Sequence, residues 1–299
     1  MLGCVEIIEI TEGEWTEIEG LSSKGKRVKA WYQRVSDEKK FLYKLPKVFE
    51  SQGYITSEIW TEIIAYHLGK ALGLTIPEAQ IARTDCDYGV LVENFLQTDE
   101  ILIEAKDFLK FRSKKYSHNV CSIKEFFDSD PAWESYKTML VFDCLIGNND
   151  RHDENWGICY LFNNSESNVQ HRFSPFYDNA SCLIRELSDQ EIESKWNTDE
   201  KILKYVENGK PPNLYWNNED KTRYNHFELL EKLIQDEATT TEIIEDFLKI
   251  DYIDAVNEIM KEIRQLEVPQ AYIFSEHRSQ IILKILELRK QRMKQLLTL

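Results

Sequence analysis

The stretch of this 299-residue chain richest in groups able to do chemistry is Gly147-Asn148-Asn149-Asp150-Arg151-His152-Asp153-Glu154-Asn155. It lies between two apolar runs, Tyr136 to Ile146 and Trp156 to Phe162. Three readings fit these residue types. A solvated connection would use the Asn and Asp side chains for turns. A metal cluster would draw on Asp150, His152, Asp153 and Glu154, although their spacing matches no zinc signature and no cysteine joins them. Phosphoryl transfer needs an Asp to accept a hydroxyl proton and, five residues later, an Asn to reach Mg²⁺. Asp150 and Asn155 have that offset. The same chemistry asks for a further Mg²⁺-binding carboxylate beyond the next strand pair. Asp178 stands there, in Ser174-Pro175-Phe176-Tyr177-Asp178-Asn179. Two such loops in the right order are much rarer by chance than either alone.

The elements that must position these loops follow from pattern. Arg27 to Tyr32 and Lys40 to Leu45 alternate as short strands, and Pro46 closes the second because it cannot donate to a ladder. A helix follows, capped by Ser57 or Thr61. Ile59, Ile63, Ile64, His67, Leu68, Ala71 and Leu72 fall at helical spacing, and Gly73 is placed to stop it. Ile76 to Arg83 and Val90 to Leu96 then read as a hairpin about the turn 84–89. From about Gln97 the pattern turns to long amphipathic helices. Within them Tyr136 to Ile146 is a buried helix stopped by Gly147, and WGICYLF and RFSPFY are strands around the turn NNSES. The final helix carries Ile281, Ile282, Ile285, Leu288 and Leu296 on one broad face, a packing stripe. The fold class expected is α+β in two lobes: residues 1–96, β-rich with one helix, and residues 97–299, mostly helical.

Composition excludes several functions. With 37 basic against 52 acidic residues the net charge is −15, the wrong sign for general binding to nucleic acid or an anionic membrane. No stretch approaches the roughly 20 apolar residues of a membrane-spanning helix. The acidic N-terminus does not fit a signal peptide. Six cysteines without CxxC spacing read as thiols of a cytoplasmic protein.

GNNDRHDEN followed by SPFYDNAS resembles the catalytic and metal-binding loops of HipA-like serine/threonine kinases, a bacterial family with a protein-kinase-like fold distantly similar to phosphoinositide lipid kinases. The resemblance runs from about Gly20 to the C-terminus and is specific in these two loops. It implies Asp150 as the catalytic base, Asn155 and Asp178 as Mg²⁺ ligands, and His152 beside the transferring phosphate. It further implies ATP as cofactor, with Lys44, in an apolar strand followed by Pro, on the α/β-phosphates. The helix carboxylate partnering Lys44 is then Glu62, with Glu58 its competitor one turn earlier. Glu93 and Phe95 would meet adenine through backbone groups. Gly20 to Arg27, with Ser22, Ser23, Lys24, Gly25 and Lys26, would cover the polyphosphate, and Ser22 or Ser23 would be autophosphorylated. Residues 179–196 should be activation-segment-like. Tyr205 to His226 reads as a polar stretch with room for mobility, either an ordinary loop joining helices or a protein-substrate surface.

What this implies is a Ser/Thr protein kinase acting on protein hydroxyls, in a toxin or effector role and with an antitoxin or other regulatory partner in view. The chain begins about twenty residues before the phosphate-loop candidate, as in shorter HipA-like proteins, which puts the antitoxin contact of the longer forms in question. The alternatives are a phosphoinositide-type lipid kinase, disfavoured by the acidic stretch SCLIRELSDQEIESKW, and a non-catalytic nucleotide-binding module.

Overall fold

A computed structural model describes residues 4–19, 28–49, 53–112, 118–161, 170–196 and 198–298. In chain order the elements are β1 (Ile8–Glu9), β2 (Trp15–Glu17), β3 (Lys29–Arg34), β4 (Lys40–Lys44), β5 (Val48–Phe49), β6 (Tyr54–Ile55), α1 (Glu58–Ala71), β7 (Ala79–Arg83) and β8 (Tyr88–Glu93). There follow β9 (Glu100–Glu104), α2 (Ala105–Arg112), α3 (Val120–Phe127), α4 (Ala132–Ile146), β10 (Gly157–Leu161) and β11 (Gln170–Phe173). The remainder is α5 (Asp189–Lys195), α6 (Asp199–Asn208), α7 (His226–Asp236), α8 (Thr239–Lys249), α9 (Ile253–Gln265), a 3₁₀ turn (Gln270–Tyr272) and α10 (Glu276–Leu296).

The chain packs as two compact units. The first takes residues 1–95, 179–201 and 251–284, the second 96–178, 202–250 and 285–299. In the first, six strands form a sheet in the order β1-β7-β8-β4-β3-β2, antiparallel except where β1 runs parallel to β7. Alternation along β4 assigns its faces. Phe41 and Tyr43 join Trp15, Ala82 and Leu91 in one apolar cluster, where the rings of Trp15 and Phe41 meet edge-on at 5.3 Å. Leu42 and Lys44 therefore point the other way. Helix α1 buries Ile59, Ile63, Ile64 and Leu68 and packs on β7 and β8. Gly73 follows it at φ +74°, the left-handed stop its position predicts.

The second unit is mostly helical around α4, in which Met139, Val141, Phe142, Cys144, Leu145 and Ile146 are all fully buried. Gly147 ends α4 at φ +69°. The sequence expectation of helix directly after Gln97 is corrected here. Residues 100–104 form β9, which pairs antiparallel with β10 to complete the three-stranded sheet β11-β10-β9. The five residues EILIE alternate too briefly to announce a strand, and their partner lies more than fifty residues downstream. The strand expected over RFSPFY likewise stops at Phe173, before Pro175, and the turn NNSES lies outside the described residues. Among the described residues no helix is long and apolar enough to cross a membrane.

Candidate active site

In the β-rich unit the last residue of β4 meets the middle of α1. Lys44 is 7% exposed, and its Nζ lies 3.6 Å from Glu62 Oε2. An ammonium removed from water needs an anion near it, and Glu62 supplies one. Glu62 is itself held: Oε1 accepts the Asn179 amide at 3.1 Å and Oε2 the Ala180 amide at 2.9 Å. One residue earlier, Thr61 Oγ1 donates to the Ala180 carbonyl at 2.7 Å. Glu58, the competitor, instead accepts the Lys47 amide at 2.9 Å and pairs with Arg185.

One polar face of α1 thus grips the segment beginning at residue 179. That segment is bent hard. Leu183 and Ile184 are fully buried and sit at φ +47° and +58°. A left-handed backbone is costly for such side chains, of order 1–3 kcal/mol each, and persists only where its surroundings over-determine it. Ser57 stands at the helix N-cap position, yet its hydroxyl makes no cap bond and donates to the Arg185 carbonyl at 3.3 Å.

In the helical unit the loop 147–155 is tied down by charges from α4. Arg151, 2% exposed, forks onto Asp143, with Nε on Oδ2 at 2.9 Å and a terminal nitrogen on Oδ1 at 3.0 Å. The other terminal nitrogen donates to the Asn155 carbonyl at 2.8 Å and to the Tyr177 carbonyl, so one guanidinium holds both ends of the loop and the residue before Asp178. Burial pushes the Asp143 carboxyl up, against the opposing pull of Arg151 and of Asn148, which donates to Oδ1 at 3.1 Å. Asn148 Oδ1 accepts the Asp150 amide at 3.0 Å. Asn155 Nδ2 donates to the Asp150 carbonyl at 2.7 Å, which leaves Oδ1, the atom a hard cation takes, uninvolved in that bond. His152 Nδ1 accepts the Glu154 amide at 3.2 Å. Asp178 closes this unit's segment at φ +59°.

Beneath the loop lies Arg289, with no exposed surface, donating to the Cys144 carbonyl at 2.7 Å and to the Val206 carbonyl at 3.3 Å. It therefore caps the negative ends of α4 and α6. His226 is hydrogen-bonded to the Asn148 backbone, and burial and the Arg289 charge hold its ring well below the ordinary histidine value.

Asp150, Asn155 and His152 are thus gathered in one loop, and Lys44 with Glu62 in one pair. Among the described residues no three His, Cys, Asp or Glu side chains converge as a metal-holding group. One amide oxygen and one carboxylate fit Mg²⁺, which keeps waters and phosphate oxygens for the rest of its octahedron. Glu93 ends β8, its amide bonded to the Glu78 carbonyl at 2.9 Å and its carboxylate to Lys39 at 2.6 Å, and Phe95 ends this segment of the unit. Ser22, Ser23, Lys24, Gly25 and Lys26 lie outside the described residues. The stretch 205–226 is, apart from its helical ends, a loop joining α6 to α7. Residues 205–208 close α6, the Val120 and Cys121 amides bond to the Tyr215 and Trp216 carbonyls, and Asn217 and Asp220 side chains tie successive turns. Sequence reasoning missed Asp143, Arg151 and Arg289, which hold the loop 147–155 and the helix ends around it, and Arg278 in the other unit.

Comparison with known proteins gives the family and the fold. Residues 21–252 match the model of the HipA-like C-terminal domain, and the chain belongs to that family. The serine/threonine-protein kinase CtkA of Helicobacter pylori (strain J99) is 25% identical over 157 residues, 48% of this chain and 46% of that protein. The alignment therefore spans about half the length of that curated relative. The crystal structure of an H. pylori proinflammatory kinase CtkA superposes with a TM-score of 0.78 at 18% identity, covering 98% of both chains. HipA from a Shewanella oneidensis MR-1 toxin–antitoxin complex with HipB and operator DNA gives a TM-score of 0.51 at 12% identity, over 95% of this chain and 72% of that one. The fold is accordingly the mixed α+β fold of these proteins.

Proposed function

We propose that this protein is an ATP- and Mg²⁺-dependent serine/threonine protein kinase that transfers the γ-phosphoryl group to protein hydroxyls, its own phosphate-loop serines Ser22 or Ser23 included. The observation that carries the reading is Lys44, buried at the end of a central strand. It faces a glutamate whose two oxygens are both occupied by backbone amides directly after Asp178. A buried ammonium held at 3.6 Å from its counter-ion is poised to share its charge with a phosphate. In this reading Lys44 holds the α/β-phosphates, and backbone groups of Glu93 and Phe95 take the adenine. The substrate hydroxyl oxygen attacks the γ-phosphorus, the bond to the β–γ bridging oxygen breaks, and Asp150 receives the hydroxyl proton. His152 stands beside the transferring group. Asn155 and Asp178 would hold Mg²⁺, which when bound neutralises charge on the phosphates.

The test is label transfer from γ-labelled ATP to a panel of protein substrates and to the protein itself. Asp150→Ala should lose 10²–10⁴-fold in rate, the usual contribution of a general base, while binding nucleotide within a few-fold of wild type. Transfer that survives Asp150→Ala would overturn the assignment. Label placed on phosphoinositides in preference to proteins would overturn the substrate class.

A further inference from the structure

The segment that carries the Asn179 and Ala180 amides is anchored from the far end of the chain. Arg278, in the first turn of α10, is 4% exposed. Its Nε donates to Asp189 Oδ1 at 2.8 Å. One terminal nitrogen reaches Ser57 Oγ at 3.1 Å and the Ile184 carbonyl at 3.3 Å, and the other the Leu187 carbonyl at 2.5 Å. All three nitrogens of the fork are engaged. Their acceptors belong to the N-terminus of α1, the turn 184–187 and the first residue of α5. The turn so held is the one containing the left-handed pair Leu183 and Ile184. Around it the Ser57 amide bonds to the Arg185 carbonyl at 3.1 Å, and Tyr54 donates to the Glu186 carbonyl at 2.5 Å.

Segments of this kind are commonly ordered in kinases by a phosphate that recruits an arginine. Here the anion is a carboxylate of the chain itself, Asp189. The nearby hydroxyls are already placed: Ser188 caps α5 in a reciprocal capping box with Glu191, and Ser181 is 8% exposed. We propose that Arg278 is a positioning residue. It latches residues 179–189 and, through the Asn179 and Ala180 amides, sets Glu62 for Lys44 with no phosphorylation of the segment. The catalytic consequence rests on the kinase reading above; the latch does not. A lysine at this position supplies the charge for Asp189 but cannot span four acceptors in one plane.

The experiment compares wild type, Arg278→Lys, Arg278→Ala and Asp189→Asn in the full chain, by hydrogen exchange and by steady-state transfer. In Arg278→Lys, exchange at the Asn179 and Ala180 amides should quicken tenfold or more, while amides of α4 keep their wild-type rates. The kcat for transfer should fall about tenfold with nucleotide affinity changed less than threefold. Guanidinium added to Arg278→Ala should restore part of both signals, which a role in bulk stability alone would not give. Should Arg278→Ala fail to fold, Arg278→Lys and Asp189→Asn carry the same readouts. Unchanged protection at 179–180 overturns the latch. Lost protection with unchanged kcat overturns the positioning role. A fall in rate on phosphatase treatment, with loss of a phosphate mapped to 179–196, overturns its independence of phosphorylation. A wild type inert toward every substrate overturns the kinase reading instead and leaves the latch to be decided by exchange.

Discussion

Two deeply buried ion pairs among the described residues, one in each unit, are built differently. Asp143 and Arg151, both 1% exposed at the side chain, meet in a two-point fork at 2.9 and 3.0 Å. Lys44 and Glu62, 8% and 4% exposed, approach only to 3.6 Å, longer than a hydrogen bond. Glu62 gives its short bonds to two backbone amides instead. The first pair is complete within itself and spends the rest of its donors on loop carbonyls, which is how a buried charge serves architecture. The second fixes its carboxylate by backbone amides and holds the ammonium at 3.6 Å, beyond hydrogen-bond length. Burial by itself distinguishes nothing; what separates the two is which partner the short bonds go to.

Breaking each pair from its cationic side should expose this difference. Arg151→Met leaves Asp143 buried and uncompensated and releases the carbonyls of Asn155 and Tyr177. The expected cost is about 3–5 kcal/mol in stability, read by denaturant unfolding. Lys44→Met leaves Glu62 with both amide bonds intact, so its stability cost should be smaller than that of Arg151→Met, while on the kinase reading phosphoryl transfer and nucleotide affinity collapse. Equal stability losses in the two variants would erase the distinction.

Acid should sharpen the comparison with a somewhat smaller effect. His67, in the first unit, and His118, in the second, are both pushed down to about 4 by burial, and His226 in the second unit lies well below its ordinary value. The folded value is depressed below the unfolded one, about 6.5, so the unfolded chain binds the proton more readily. Each histidine's contribution is therefore complete above about pH 6.5. For His67 and His118 it is lost as pH falls to about 4, by on the order of 3 kcal/mol each. The carboxylate of Glu237, held at about 2 against burial by Lys124 and Lys137, does not begin to lose its share until the unfolded carboxylate protonates near 4.5. Between pH 6.5 and 4.5 the second unit, with two such histidines, should lose hydrogen-exchange protection faster than the first, with one. Faster opening of the β-rich unit in that window would contradict the assignment. His118→Phe and His226→Phe, if they fold, should flatten the profile of the second.

Much of the candidate site is written locally, and what holds its residues in place is not. The offset from Asp150 to Asn155, and the placing of Lys44 at the end of an apolar strand before Pro46, are short-range patterns that the fold reproduces as one loop and one strand end. The supports are long-range. Arg278 and Arg289 sit in a helix whose charges read as solvated, and each reaches acceptors at least 80 positions away in the chain. A signal existed for two of them. Asp143 interrupts an otherwise apolar run, and an acid there must find a cation. Arg289 falls seven residues after Ile282 and four before Met293, on the buried stripe of α10, where an arginine needs acceptors. Nothing local announces that residues 179–201 and 251–284 return to the first unit. Such packing depends on which distant faces fit, and a single pass along a sequence carries no record of that. The strand β9 was hidden for the same reason.

The smallest contrast concerns the two glycines that stop α1 and α4. Both adopt the left-handed conformation, at φ +74° for Gly73 and +69° for Gly147. A Cβ at Gly73 would meet nothing within 4 Å, whereas one at Gly147 would lie 2.7 Å from an Arg289 terminal nitrogen and 2.9 Å from its central carbon. Gly73→Ala should therefore show the backbone term alone, about 1–2 kcal/mol. Gly147→Ala should add roughly 1–3 kcal/mol for overpacking against a buried guanidinium that cannot swing away without giving up the Cys144 and Val206 carbonyls. Thermal unfolding of the two variants gives the difference directly. Because Gly147 opens the loop that carries Asp150, its variant should also slow transfer, and Gly73→Ala should not. Equal melting shifts would mean that Arg289 yields freely, and the cap it places on α4 and α6 would then be a contact without consequence.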